Sequence, residues 1–156
     1  MLGRRGLVLG GVVAATSARA QTGPQPVIEP LEEIRIVTRD GQRHVFRVEV
    51  ARTPEQQAVG LMFRTSVPPD GGMLFDWGSP RESSMWMRNT LVSLDMLFIA
   101  ADGRIHRIAE RTIPHSLAPI SSRGPVRATL ELAAGTAERL GLRVGDRVEH
   151  PIFAGR

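Results

Sequence analysis

Residues 85 to 96 read Met-Trp-Met-Arg-Asn-Thr-Leu-Val-Ser-Leu-Asp-Met, and they hold one of the two tryptophans and three of the six methionines. Arg88, Asn89 and Asp95 stand inside this otherwise apolar run. A polar group withdrawn from water without a partner costs roughly 2–7 kcal/mol on apolar reference scales, so these three either find partners or serve a purpose. Arg88 offers a planar fork of donors suited to a carboxylate or phosphate. Asn89 both donates and accepts, and Asp95 is the natural internal partner for Arg88. On a strand over residues 83–88, Trp86 and Arg88 share one face and Met85 and Met87 the other. An aromatic beside an arginine suits a flat or anionic guest. With Arg64 at the rim and Glu131 as a further carboxylate, the expected ligand-binding set is Arg64, Trp86, Arg88, Asn89, Asp95 and Glu131. The guest would be a small polar molecule, a carbohydrate or an anion, bound without catalysis. The competing reading of the same residues is architectural: Arg88–Asp95 is a buried ion pair that fixes a loop, and Asn89-Thr90 is a turn.

Two other chemistries fit the residue types. Asp95 and Glu131 are the one carboxylate pair to nominate for hydrolysis of envelope polysaccharide, which needs a separation of about 5–9.5 Å. The thioethers of Met85 and Met87 suit Cu(I), with His115 to complete a site. The same methionines serve equally as core filler against Phe63, Phe75 and Trp77. The four histidines, His44, His106, His115 and His150, lack metal-ligand spacing. There is no nucleophile elbow and no phosphate-binding glycine loop. No cofactor or metal is therefore expected, and whether the chain is an enzyme stays open.

The chain begins with a basic start, Arg4-Arg5, followed by an uncharged apolar run from Gly6 to Ala18. Ala18-Arg19-Ala20 then places small residues where a signal peptidase reads, so residues 1–20 are expected to be a signal peptide cleaved before Gln21. The run is too short for a transmembrane helix, which needs about 20 residues. Residues 21–33 read as a flexible leader rich in proline, and residues 34–156 as a single domain, periplasmic or secreted. Loss of Arg4, Arg5 and Arg19 takes the formal charge from +4 to +1, which is no electrostatic footprint for nucleic acid. The chain has no cysteine, so an exported domain must rely on a packed core rather than disulfides. A single domain of this length buries about two-thirds of its unfolded surface. Oligomeric state and protein partners are not encoded in any motif.

The elements that must position these residues are mostly strands. Ile34–Thr38 and Arg43–Ala51 flank the hairpin signal Asp40-Gly41, with Phe46, Val48 and Val50 on one face. Thr53-Pro54-Glu55-Gln56 opens a short helix through a capping box, with Ala58, Val59, Leu61 and Met62 expected on its buried side. Further strands are expected at 73–77, 83–88, 95–100, 104–109, 126–132 and 147–153, with a second short helix at 135–140. A proline-rich loop fills 112–125. About eight short strands between turn signals make a mainly β fold, an antiparallel sandwich or jelly-roll-like barrel with two short helices.

Several ordered blocks also carry a resemblance. Val48-Glu49-Val50-Ala51, Gly60-Leu61-Met62-Phe63-Arg64, Gly72-Met73-Leu74-Phe75, Trp86-Met87-Arg88-Asn89-Thr90, Leu94-Asp95-Met96 and Leu130-Glu131-Leu132 with Gly135 resemble the uncharacterised family DUF192. The likeness spans roughly Val45 to Val148. It implies a jelly-roll type of β fold with small helices and brings no reaction. Many members have cysteines where this chain has Pro114 to Ser122, so no metal or disulfide role for that loop carries over.

Overall fold

A computed structural model describes Ala20 and residues 22–154. All but the last residue of the expected signal peptide lies outside the described residues. The elements in chain order are β1 (Glu32–Val37), β2 (Arg43–Ala51), α1 (Pro54–Val59), β3 (Met73–Met85), β4 (Leu94–Ile99), β5 (Ile105–Ala109), β6 (Ile120–Ala133), α2 (Thr136–Leu140) and β7 (Arg147–Glu149), with a final 3-10 turn at Pro151–Phe153. The seven strands hydrogen-bond in the order β5-β4-β6-β3-β2-β1-β7. The two ends of this sheet meet. Arg104 bridges Arg147, the Ile105 N–H donates to the Asp146 carbonyl at 2.8 Å, and the Val148 N–H donates to Gly103 at 2.7 Å. The sheet is therefore a nearly closed barrel, and it is mainly β with two short helices, as the turn spacing predicts.

Local chemistry explains most boundaries. Gly41 sits at φ 83°, the left-handed turn that lets β1 return as β2 in the register Val37 to Arg43. Thr53 caps α1: its hydroxyl accepts from the Gln56 N–H at 3.1 Å, while the Gln56 side chain accepts from the Thr53 N–H. The helix stops at Val59 and buries none of its own residues. Ala58 is exposed, and the anchor to the body is Leu61, beyond the helix end.

The sheet departs from a purely antiparallel scheme at one pair. β2 and β3 run parallel, with Glu49 opposite Met73 and Ala51 opposite Phe75. The α1 segment carries the chain back to the same end of the sheet, which a hairpin cannot do. The strands expected at 73–77 and 83–88 join into one long β3 that ends at Met85, so Trp86, Met87 and Arg88 lie beyond it and the expected strand face of Trp86 and Arg88 does not form. The β3 ladder with β6 shifts register between Asp76 and Arg81, so Gly78-Ser79-Pro80 bulges without ending the strand. Pro125 pairs with Glu82 at the edge of a second register shift, between Glu82 and Ser84, and is accommodated inside β6, which starts at Ile120 within the predicted loop. The leader is tied down: the Gln25 amide donates to the Gln56 and Gly60 carbonyls, and the Ile28 N–H donates to Glu49.

The core has two layers. Ile34, Ile36, Phe46, Val48, Leu74, Leu97, Leu130 and Val148, drawn from nearly every strand, fill the barrel interior. Met73, Phe75, Met87, Met96 and Phe98 form a second layer on the outer face of β2, β3, β6 and β4. The central strands are thus buried on both sides.

Asp95 shows how the ends are fastened. It is fully buried on β4, opposite Leu132. One carboxylate oxygen accepts from the Arg111 N–H at 2.9 Å, the other from the Ala137 N–H at 2.9 Å. This clamps the loop after β5 and the first turn of α2, which sends Ala137 into the interior. Asp95→Ala strips the acceptor from both N–H groups at about 1–3 kcal/mol each. We expect urea unfolding to register a loss of about 2–5 kcal/mol, with Asp95→Asn losing about half of that. Wild-type stability in Asp95→Ala would show that neither bond holds the fold.

Candidate functional site

Alternation along β6 decides what Glu131 faces. Leu130 and Leu132 point into the barrel, so Glu131 points outward into the second layer. In register it lies between Met73 of β3 and Met96 of β4, and Glu49 of β2 follows beyond Met73. The strands approach closely here because Gly72, at φ 146°, has no Cβ; one placed there would lie 2.2 Å from the Glu131 carbonyl oxygen.

Two turns roof this row. Phe63 and Asn89 both adopt left-handed backbone, at φ 63° and 51°, a conformation uncommon for residues other than glycine. They are joined: the Phe63 N–H donates to the Asn89 carbonyl at 2.8 Å. Beneath them a narrow cleft of about 40 Å³ runs down to Glu131, walled by Gly60, Met62, Phe75, Met85, Trp86 and Thr90. At Gly60 an added Cβ would come within 3.0 Å of the Phe75 ring, so glycine keeps this wall open.

The two carboxylates of the row are treated differently. Glu49 is held by a bidentate pair with Arg64, at 2.9 and 3.1 Å, and by the Ile28 N–H at 2.8 Å. Glu131 is only 4% exposed, yet among the described residues no hydrogen bond or ion pair reaches its carboxyl. Burial alone pushes its pKa up from 4.5 to about 8. At neutral pH it is a carboxylic acid, able to donate as well as accept.

Residues 35–150 match the family described as Uncharacterized ACR, COG1430, that is, DUF192. The chain belongs to the DUF192 family. No curated protein matches it. Among solved structures it is similar to a protein of Sinorhizobium meliloti 1021 described as a proposed transcription regulator, with 49% identity, a TM-score of 0.79, and coverage of 82% of this chain and 99% of that one. It is also similar to a protein of unknown function from Novosphingobium aromaticivorans, with 40% identity, a TM-score of 0.76, and coverage of 90% and 100%.

The six residues nominated in this DUF192 chain do not converge on one hollow. Trp86 and Glu131 line the cleft together. Arg64 is spent on Glu49, one register position past Met73. Arg88 is exposed and lies over the outside of Trp86, 5.4 Å from the ring centroid. The expected Arg88–Asp95 pair does not form, because Asp95 already has two backbone donors. Asn89 contributes its carbonyl to the roof, as a turn residue. Asp95 and Glu131 point to opposite sides of the barrel wall: Asp95 pairs with the inward Leu132, one residue out of phase with Glu131. They cannot flank one sugar bond. Met87 is wholly buried whereas Met85 is half-buried on the cleft wall, so an open two-thioether face does not form either. His115 sits exposed on the loop after β5.

Met62, Thr90 and Gly60 belong to the cleft and were not singled out as site residues. Their signal is the Gly60-Leu61-Met62 block, which reads as part of the helix, with Leu61 and Met62 on its buried side, whereas α1 ends at Val59.

The Glu131 proton has a thermodynamic consequence. The folded domain keeps it up to about pH 8, while the unfolded chain releases it near 4.5. The folded state therefore binds the extra proton, and this contribution is complete below pH 4.5 and lost as pH rises through about 8. At 1.36 kcal/mol per unit the loss approaches roughly 5 kcal/mol. We expect Glu131→Gln to remove that slope. The difference in unfolding free energy between variant and wild type, measured in urea from pH 5 to 9, should move steadily in favour of Gln. A constant difference would mean that Glu131 ionises normally in the fold.

Proposed function

We propose that this DUF192 domain binds a small molecule in the Glu131 cleft and does not transform it. The supporting observation is the unpartnered, buried carboxyl group at the base of a hollow that reaches the surface. A buried polar group without a partner is costly, and a guest that hydrogen-bonds to it relieves that cost. Trp86, Met85 and Met62 supply an apolar wall for the rest of the guest. An anion is disfavoured, because no cationic side chain lines the cleft: Arg64 is paired with Glu49 and Arg88 lies against the Trp86 ring. The cleft also lacks the second carboxylate that two-group hydrolysis requires, since Asp95 lies on the far side of the wall. Ligand-observed NMR with methanol, acetamide, methylamine and ethylamine tests the reading. We expect hits that disappear in Glu131→Ala and Trp86→Ala. No hits at millimolar concentration, or hits indifferent to both substitutions, would end it.

We further propose that the domain works outside the cytoplasm as a periplasmic or secreted protein. The basic start, the apolar Gly6–Ala18 run and the Ala18-Arg19-Ala20 site support this. Mass spectrometry of the protein from its native cells should give a chain beginning at Gln21. A product that retains the first twenty residues in the cytosolic fraction would refute export.

A further inference from the structure

The Glu131 cleft has a neighbour. Met85 and Trp86, which wall it on one side, also wall a second hollow of about 180 Å³ that Ser84, Leu117 and Pro119 complete. That hollow is apolar and open. Trp86 is 46% exposed and Leu117 64% exposed, so both present apolar surface to solvent along this hollow. The loop that carries Leu117 is held in place by backbone: the Met87 N–H donates to the Ser116 carbonyl at 2.9 Å, and the His115 N–H to the Thr90 carbonyl at 3.1 Å. The groove thus lies beside the cleft, with Met85 and Trp86 common to both.

The two hollows differ in size and chemistry. On the same measure one water needs about 10–15 Å³, so a cleft of about 40 Å³ has room for a head of a few atoms. The groove is several times larger and bears no charge. Within the cleft, Glu131 is the one ionisable side chain among the lining residues. The charged groups around it are accounted for: Glu49 of β2 is neutralised by Arg64, Arg88 lies beyond the Trp86 ring, and α1 presents the uncharged Gln57. An indole face draws a cation, and the thioethers of Met62 and Met85 are polarisable neighbours. A cationic head supplies Glu131 with the counter-charge that it lacks. An alcohol supplies a hydrogen bond alone, and a carboxylate brings a charge for which the cleft has no cationic partner.

Resting on the reading of the cleft as a binding site, we propose that cleft and groove together bind a primary alkylammonium, with the ammonium on Glu131 and the hydrocarbon chain along Trp86, Leu117 and Pro119. Bound this way, the head converts the acid to its carboxylate, so uptake of the amine at neutral pH releases one proton from Glu131 to solvent. Affinity for the amine then rises as pH climbs toward 8, while affinity for the matching alcohol does not.

The test titrates the full chain with n-hexylamine, n-hexanol, hexanoate and ethylamine, read by calorimetry in buffers of different ionisation enthalpy. We expect hexylamine to bind at least about tenfold more tightly than hexanol, as hydrogen bonds to charged groups do over neutral ones. We also expect it to bind more tightly than ethylamine, and hexanoate not to bind. Glu131→Gln should erase the amine-over-alcohol preference and the proton release. Leu117→Ser, a change at an exposed side chain, should bring hexylamine down toward ethylamine and leave ethylamine unchanged. Equal affinity for hexylamine and hexanol overturns the ammonium assignment. Equal affinity for hexylamine and ethylamine overturns the groove assignment. If polar fragments bind the cleft while none of these four does, the alkylammonium proposal fails and the cleft reading survives; if nothing binds in either experiment, both fail.

Discussion

β6 is enclosed on both faces, and that constraint governs everything else in the molecule. In an open sheet the outward residues of such a strand would meet water. Here the barrel occupies one face and the α1 segment with its turns covers the other, so every side chain from Ala128 to Leu132 is buried. The stretch Thr129-Leu130-Glu131-Leu132 therefore puts an acid where most of the surrounding side chains are apolar. Most of the distinctive geometry follows: Gly72 yields space for the Glu131 backbone, methionines flank it in register, and the roof turns leave one narrow way in.

Four acidic side chains are buried among the described residues, Glu49, Asp95, Glu131 and Asp146, and the three that lie on strands illustrate three outcomes of desolvation. Glu49 is paired with Arg64 in fork geometry. Asp95 is satisfied by two backbone N–H donors and acts as a fastener. Glu131 has neither, and holds its proton instead. Buried ion pairs are near neutral for stability, so Glu49–Arg64 contributes mainly alignment of β2 with the turn after α1. Glu131 alone has unmet bonding capacity, which separates it from its two neighbours in chemical potential as well as in position.

The periodicity of Phe46, Val48 and Val50 and of Leu130 and Leu132 was legible in the chain, and so were the Asp40-Gly41 turn and the Thr53–Gln56 capping box. These depend on neighbours close in sequence. The β2–β3 parallel pair was not legible, because a parallel contact leaves no turn signature. The site was half legible. Alternation already set Glu131 against Leu130, and the density of Trp86 and Met85 marked the wall. The partners of Asp95 could not be read, since they are backbone groups of Arg111 and Ala137 that no side-chain code advertises. The opposed facing of Asp95 and Glu131 required the β4–β6 register, which is a property of two strands and not of either one.

The Phe63–Asn89 hydrogen bond links main chain to main chain. The turns that bring Met62 and Thr90 to the cleft are consequently joined by peptide groups that every amino acid carries, whereas the character of the cleft is set by the side chains that line it. A lineage of such proteins can thus exchange the aromatic and the thioethers for other residues and meet new guests through a doorway whose frame does not change.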